Sequence, residues 1–156
     1  MSYLQRDMGE DATFRLERAT ADDLNLIRSQ WMADVFLWPD ASARGRAYWL
    51  ETEPDARDDL LAHLGAYVAR DAIGVPDNVA AWMVADLSAK PLVHWIQVKR
   101  RWRGQGAGRL LFELADHGRG TTMFTRYASA NQRPRLEGRG WLYRPHLAYS
   151  TFRRAA

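Results

Sequence analysis

Residues 98–111 carry the densest chemistry in the chain. Val98 ends an apolar run. Four cations follow (Lys99, Arg100, Arg101 and Arg103), then Gly104, Gly106 and Gly108, then Leu110 and Leu111. Glycines let backbone N–H groups converge without Cβ atoms in the way. A helix opening at this point adds four unpaired N–H groups and the positive end of a dipole. Such a turn is built to hold an anion of the pyrophosphate kind.

The spacing separates three phosphate-binding patterns. A P-loop requires Lys-Ser/Thr after its last glycine, whereas Gly108 is followed by Arg109-Leu110. A dinucleotide fingerprint requires GxGxxG after the first strand and an acidic residue about 20 residues on. Here the glycines follow a run of several predicted strands, and the next strand, at 121–127, has no acid. The third pattern is Arg/Gln-x-x-Gly-x-Gly/Ala after an apolar strand and at the start of a helix. Arg103-Gly104-Gln105-Gly106-Ala107-Gly108 fits it at every fixed position. This segment resembles the pyrophosphate loop of the GCN5-related N-acetyltransferases, the GNAT superfamily. The order of elements extends the resemblance over residues 13–152. A narrower likeness is to small bacteriophage-encoded members, with the DNA-modifying Mom protein in the wider neighbourhood. It lies in 23–32, in Val93-His94-Trp95-Ile96-Gln97-Val98-Lys99 and in Trp141-Leu142-Tyr143-Arg144-Pro145.

The resemblance implies acetyl-CoA as cofactor. Its pyrophosphate would lie on the backbone N–H groups from Gln105 to Arg109, with charge added by Arg103 and Arg109. Its pantetheine arm would pair with the backbone of Ile96, Gln97 and Val98 on a strand splayed from its neighbour. Asn131 begins like the family's Asn-x-x-Ala-x-x-x-Tyr, so it joins the expected cofactor residues. The position of the family's Tyr is taken by Gly138. Tyr143 is the preferred substitute acid and Tyr127 the second choice. Direct attack of an amine on a thioester needs a base, an acid for the leaving thiolate and a polarised carbonyl, but no acyl-enzyme. The absence of cysteine is therefore no obstacle.

Other polar and aromatic residues have two readings each. His94 is a candidate base or a satisfied histidine inside a sheet. Arg100 and Arg101 are a solvated basic turn or phosphate contacts. Asp86 and Glu113 are weaker bases, and His117 belongs near a helix end. Trp31, Trp38 and Trp49, with Asp34 and Asp40, fall where the family borders its acceptor groove. They serve either a packed core or a site for a cation or a stacked base.

The elements that must position these groups follow from periodicity. A strand is predicted at 13–18. Thr20 is expected to cap a helix over 21–36 whose apolar face is Leu24, Ile27, Trp31 and Val35, and Trp38-Pro39 breaks it. Helices are predicted at 42–52 and 55–64, and strands at 66–71, 79–86 and 91–98. The helix after the glycines buries Ala107, Leu110, Leu111, Leu114 and Ala115 and stops at Gly118. A strand at 121–127, a short helix at 131–137 and strands at 141–143 and 146–152 complete an α/β domain. Its mixed, mostly antiparallel sheet is flanked by helices and has a splayed strand pair for the cofactor.

Length and composition fit one domain over residues 1–156, with 1–12 and 153–156 expected to be flexible. The net charge of +3 conceals segregation: residues 1–89 hold 8 Lys/Arg and 16 Asp/Glu, residues 90–156 hold 14 and 3. A basic C-terminal half suits an anionic ligand. No secretory signal and no apolar run of about 18 residues is present, so a cytoplasmic protein is expected. No metal site is expected. The leading function is acetyl transfer from acetyl-CoA to an amine. The alternatives are a phage-type nucleobase-modifying enzyme using the same cofactor, bound to nucleic acid through the basic half, and a non-catalytic acyl-CoA-binding protein. A homodimer is compatible with all three.

Overall fold

The computed structural model describes residues 13–35, 51, 57–58, 61, 65–74, 78–88, 90–117, 120–127, 131–145 and 147. Its elements are β1 (Phe14–Arg18), α1 (Ala21–Val35), β2 (Gly65–Asp71), β3 (Val79–Asp86), β4 (Leu92–Val98) and a 3₁₀ turn (Arg100–Trp102). Then come α2 (Ala107–Asp116), β5 (Met123–Phe124), α3 (Gln132–Gly138) and β6 (Leu142–Tyr143). Among the described residues the strands form one six-stranded sheet in chain order. β1 to β4 are antiparallel, and β4–β5 and β5–β6 are parallel. The mixed α/β architecture is as expected. The break at Trp38-Pro39, most of the two helices predicted within 42–64, all of the strand predicted at 146–152 except Leu147, which is helical rather than extended, and the two chain ends lie outside the described residues.

Thr20 and Asp23 start α1 as a reciprocal cap. The Thr20 N–H donates to Asp23 Oδ2 at 2.8 Å, and the Asp23 N–H donates to Thr20 Oγ1 at 3.3 Å. Ile27 and Trp31 of this helix are fully buried against Val68, Val79, Trp82, Val84 and Trp95 on one face of the sheet. The other face packs Leu16, Tyr67, Ala81, Met83, Val93 and Ile96 against Leu111, Leu114 and Ala115 of α2. Burying apolar area on both faces of β3 and β4 is why those strands read as nearly continuous apolar runs.

An ion-pair cluster ties α1 to the sheet. Arg70, 7% exposed, donates to both carboxylate oxygens of Asp23 at 3.1 and 2.5 Å and to Glu17 at 2.8 Å. Glu17 also pairs with Arg15. At the far side, Asp116 closes α2 onto the last elements. It accepts from the Thr122 hydroxyl at 2.7 Å, from Trp141 Nε1 at 2.8 Å and from Arg139 at 3.2 Å.

β4 carries one residue more than its partner. Ala85 pairs with Val93 and Val84 with Trp95, so His94 is an added residue opposite the Val84–Ala85 step. The bulge changes which residues face which side. Val93 lies in the α2-side core, Trp95 in the α1-side core, and Ile96 and Val98 in or against the α2-side core again.

The strand predicted at 121–127 forms a ladder only at Met123 and Phe124, because only there does β4 run beside it. One further bond, from the Thr125 N–H to the Val93 carbonyl at 3.0 Å, ends the contact. Past Thr125 the two chains part, while β4 stays paired with β3 up to Val98. This is the splayed pair expected from the sequence.

Candidate functional site

The fork between β4 and β5 exposes one edge of β4. The Lys99 N–H donates to the Ala80 carbonyl at 2.8 Å, and Val98 is opposite Ala81. Antiparallel pairs alternate in their hydrogen bonding. The N–H and C=O groups of Ile96 and Val98 therefore point away from β3, toward the open side, whereas those of Gln97 serve β3. The side chain of Gln132, in the first turn of α3, donates to the Ile96 carbonyl at 3.3 Å. Arg103 Nε donates to the Val98 carbonyl at 3.3 Å.

The glycine turn sits at the end of the same strand. Gly104 has φ +74° and Gly106 φ +98°, both in the left-handed region that a Cβ disfavours. Gly106 is the N-cap of α2 with no side-chain cap, and the Leu110 N–H closes the first helical bond on the Gly106 carbonyl at 3.3 Å. The N–H groups of Ala107, Gly108 and Arg109 precede that bond and have no carbonyl partner within the helix. Gly108 has a different reason to be glycine: a Cβ there would lie 3.0 Å from Val98 Cγ2. Helix and strand thus approach closely enough that a Cβ at this position would press on Val98.

The cations around the turn are arranged unequally. Arg100, Arg101, Arg103 and Arg109 are exposed. Arg101 lies 4.9 Å from the centre of the Trp102 ring, and Arg109 pairs with Glu113 at 3.0 Å. Gln105 turns back and donates to the Arg101 carbonyl at 2.9 Å, bracing the turn. Partial burial, and secondarily the Arg101 charge, hold Lys99 below the usual ammonium range.

His94 occupies the apex of the fork. Its Nδ1 lies 3.0 Å from the Thr125 hydroxyl, and its ring is 0% exposed. Burial, with the Arg126 charge as a lesser cause, pushes its pKa down to about 3. The imidazole is neutral in ordinary conditions, and its Nε2 has no partner among the described residues. Of its two sequence readings, this placement matches the histidine inside a sheet, although only one of its nitrogens is bonded.

Tyr143 lies on the other arm. It is half-buried, with its ring 5.2 Å from Phe124 and 5.5 Å from Tyr127. Arg133 stands 4.2 Å above the Tyr143 ring and 5.8 Å from that of Tyr127, and pairs with Glu137 at 2.6 Å. Gln132 and Arg133 are consecutive, so one turn of α3 touches both arms of the fork. Sequence reasoning singled out Asn131, which is exposed and caps α3 without a side-chain bond. It missed Gln132, whose contact with Ile96 spans 36 residues and leaves no local signal.

The remaining candidates are dispersed. Trp31 belongs to the core, 5.0 Å from Trp95. Asp86 accepts from the Ser88 N–H, and His117 is the exposed C-cap of α2. Trp38, Trp49 and Asp40, and the side chain of Asp34, lie outside the described residues. Among the described residues, no helix is long and apolar enough to cross a membrane.

The fold has known counterparts. The chain is similar to a possible acetyltransferase from Clostridium difficile 630, with 15% identity, a TM-score of 0.53, and coverage of 85% of this chain and 92% of that one. It is also similar to the histone acetyltransferase HPA2 and related acetyltransferase from Corynebacterium glutamicum, with 14% identity, a TM-score of 0.52 and coverage of 82% and 83%. A third counterpart is the GCN5-related glucosamine N-acetyltransferase region of a fungal multi-domain GH3 β-N-acetylglucosaminidase. There identity is 18%, the TM-score 0.52, and 83% of this chain matches 16% of that one. The protein has the GNAT fold. No protein-family model matches the sequence, and no curated protein does.

The residues present fit the cofactor that such a fold implies. Two left-handed glycines and an unpaired first helical turn suit a pyrophosphate, and an outward strand edge suits an arm that carries amides.

Proposed function

We propose that this protein is an N-acetyltransferase that takes its acetyl group from acetyl-CoA and delivers it to an amine. The observation that carries the reading is the open edge of β4 running directly into the left-handed glycine turn. A strand whose outward groups pair with no neighbouring strand among the described residues, and which then leads to a helix N-terminus, suits a ligand with amides at one end and phosphates at the other. The backbone from Gln105 to Arg109 would hold the pyrophosphate, with Arg103 and Arg109 adding charge. Ile96, Gln97 and Val98 would line the arm, and Asn131 at the start of α3 would join them. Bound there, acetyl-CoA supplies an activated thioester carbonyl.

The rest is done by the chain. Tyr143 holds its phenolic proton at Oη on the β5–β6 arm and is the candidate acid for the leaving thiolate. Arg133 fixes its ring from above. His94 is sealed at the apex, so its contribution is to hold the fork rather than to collect a proton from the acceptor. Water within the fork would relay the amine proton.

Calorimetric titration with acetyl-CoA tests the reading. Saturable binding that Gly106→Val abolishes is expected, and no binding at millimolar cofactor sinks it. A panel of amines then separates an enzyme from a non-catalytic acyl-CoA-binding protein, for which turnover stays at background.

A second reading, nucleic-acid modification with the same cofactor, is favoured by the exposed Arg100, Arg101, Arg103 and Arg109 around the glycine turn. It requires duplex DNA or RNA binding that weakens steeply with salt. Absence of any shift at low salt counts decisively against it.

A further inference from the structure

The outward carbonyls of β4 are not left to water. Ile96 O receives Gln132 Nε2 and Val98 O receives Arg103 Nε, both at 3.3 Å. These donors come from different elements, α3 and the glycine turn, and reach the same strand edge at alternate positions. Alternate positions are where an added strand would place its own donors. Unpaired strand edges are usually covered or blunted, because they template pairing with other chains. Both bonds lie beyond the usual 2.7–3.2 Å range. Both donors also sit on long, rotatable side chains that regain freedom when released.

We propose that Gln132 and Arg103 are a removable stand-in for a missing strand. Each holds one outward carbonyl of β4 until an extended ligand with two amide groups, the pantetheine arm of the acyl carrier, takes its place. The proposal rests on the cofactor reading above. It also reverses the ordinary expectation for a residue beside a binding site: Gln132 competes with the ligand rather than contacting it. Its effect belongs to the arm, not to the phosphates. Arg103 has both roles, stand-in for the arm and counter-charge for the phosphates, so only an uncharged probe isolates the first.

The test uses the full chain and three probes: CoA, pantetheine, and adenosine 3′,5′-bisphosphate, which lacks the arm. Gln132→Met keeps length and removes the donor. It should bind CoA and pantetheine about two- to tenfold more tightly, the worth of one modest hydrogen bond, and bind the bisphosphate as the wild type does. Arg103→Met should likewise gain affinity for pantetheine. In the ligand-free protein the Ile96 carbonyl carbon resonance should move on Gln132→Met. Weaker or unchanged CoA binding by Gln132→Met, or a motionless Ile96 resonance, overturns the proposal and leaves the cofactor reading standing. Failure of the wild type to bind CoA at all overturns both.

Discussion

The Nδ1 atom of His94 and the hydroxyl of Thr125 meet 3.0 Å apart at the point where β4 and β5 separate. Both side chains are buried, and one backbone bond, from the Thr125 N–H to the Val93 carbonyl, lies beside them. The side-chain contact is the last link before the fork opens. It fixes where pairing stops, and therefore how much of β4 stays available.

Burial of His94 makes stability depend on pH. Its folded pKa, about 3, lies below the ordinary histidine value of 6.5, so the unfolded chain takes up the proton first. The stabilisation is complete above about pH 6.5 and declines as pH falls toward 3, by up to about 1.4 kcal/mol per unit. In urea denaturation between about pH 7 and 4, His94→Gln should flatten this dependence. A slope identical to that of the wild type would show that the imidazole is not the group responsible.

Asp23 works in a lower window. Burial pushes its carboxyl up, but the hydrogen bonds from Arg70 and Thr20 outweigh that and leave it below its usual value. Its contribution is present above pH 3.8 and is lost as pH falls through the depressed folded value. Asp23→Asn removes the carboxylate charge while Arg70 stays buried beside Glu17. A loss of about 3 kcal/mol is expected, read as a lowered thermal midpoint at neutral pH.

The glycine turn separates conformation from packing. Gly106→Ala strains a residue at φ +98°, and about tenfold weaker acetyl-CoA binding is expected from a backbone penalty of about 1–2 kcal/mol. Gly108→Ala meets Val98 Cγ2 at 3.0 Å, so it should weaken binding and also lower the melting temperature. A Gly108→Ala protein with unaltered melting would mean that α2 and β4 yield without cost.

Tyr143→Phe should lower kcat about a hundredfold with the KM for acetyl-CoA unchanged, as expected for loss of a general acid. The same substitution at Tyr127 should cost much less. Equal effects at the two positions would shift the acid role away from Tyr143 and toward the pair.

The glycine turn could be read from the sequence because its requirements are local. Gly104 and Gly106 answer to their own φ angles, and α1 begins at a cap whose two members are three positions apart. The bulge at His94 could not, since it exists only relative to Val84 and Ala85 across the ladder. Arg70–Asp23 and Gln132–Ile96 join residues 47 and 36 apart, and no periodicity announces such partners. β5 was read too long for a related reason. Residues 121–127 have strand composition throughout, but a strand needs a neighbour, and the fork removes it after Thr125.

The added residue in β4 gives the strand two reading frames. Up to Val93, odd-numbered positions spell the core beneath α2; from Trp95 on, odd-numbered positions spell the core beneath α1. Val93 and Trp95 already face opposite cores and pair with the adjacent Ala85 and Val84, so deleting His94 would merge the two frames into one regular ladder without turning either half over. What the deletion would take away is the bulge itself and, with it, the contact to Thr125 at the point where β4 and β5 part.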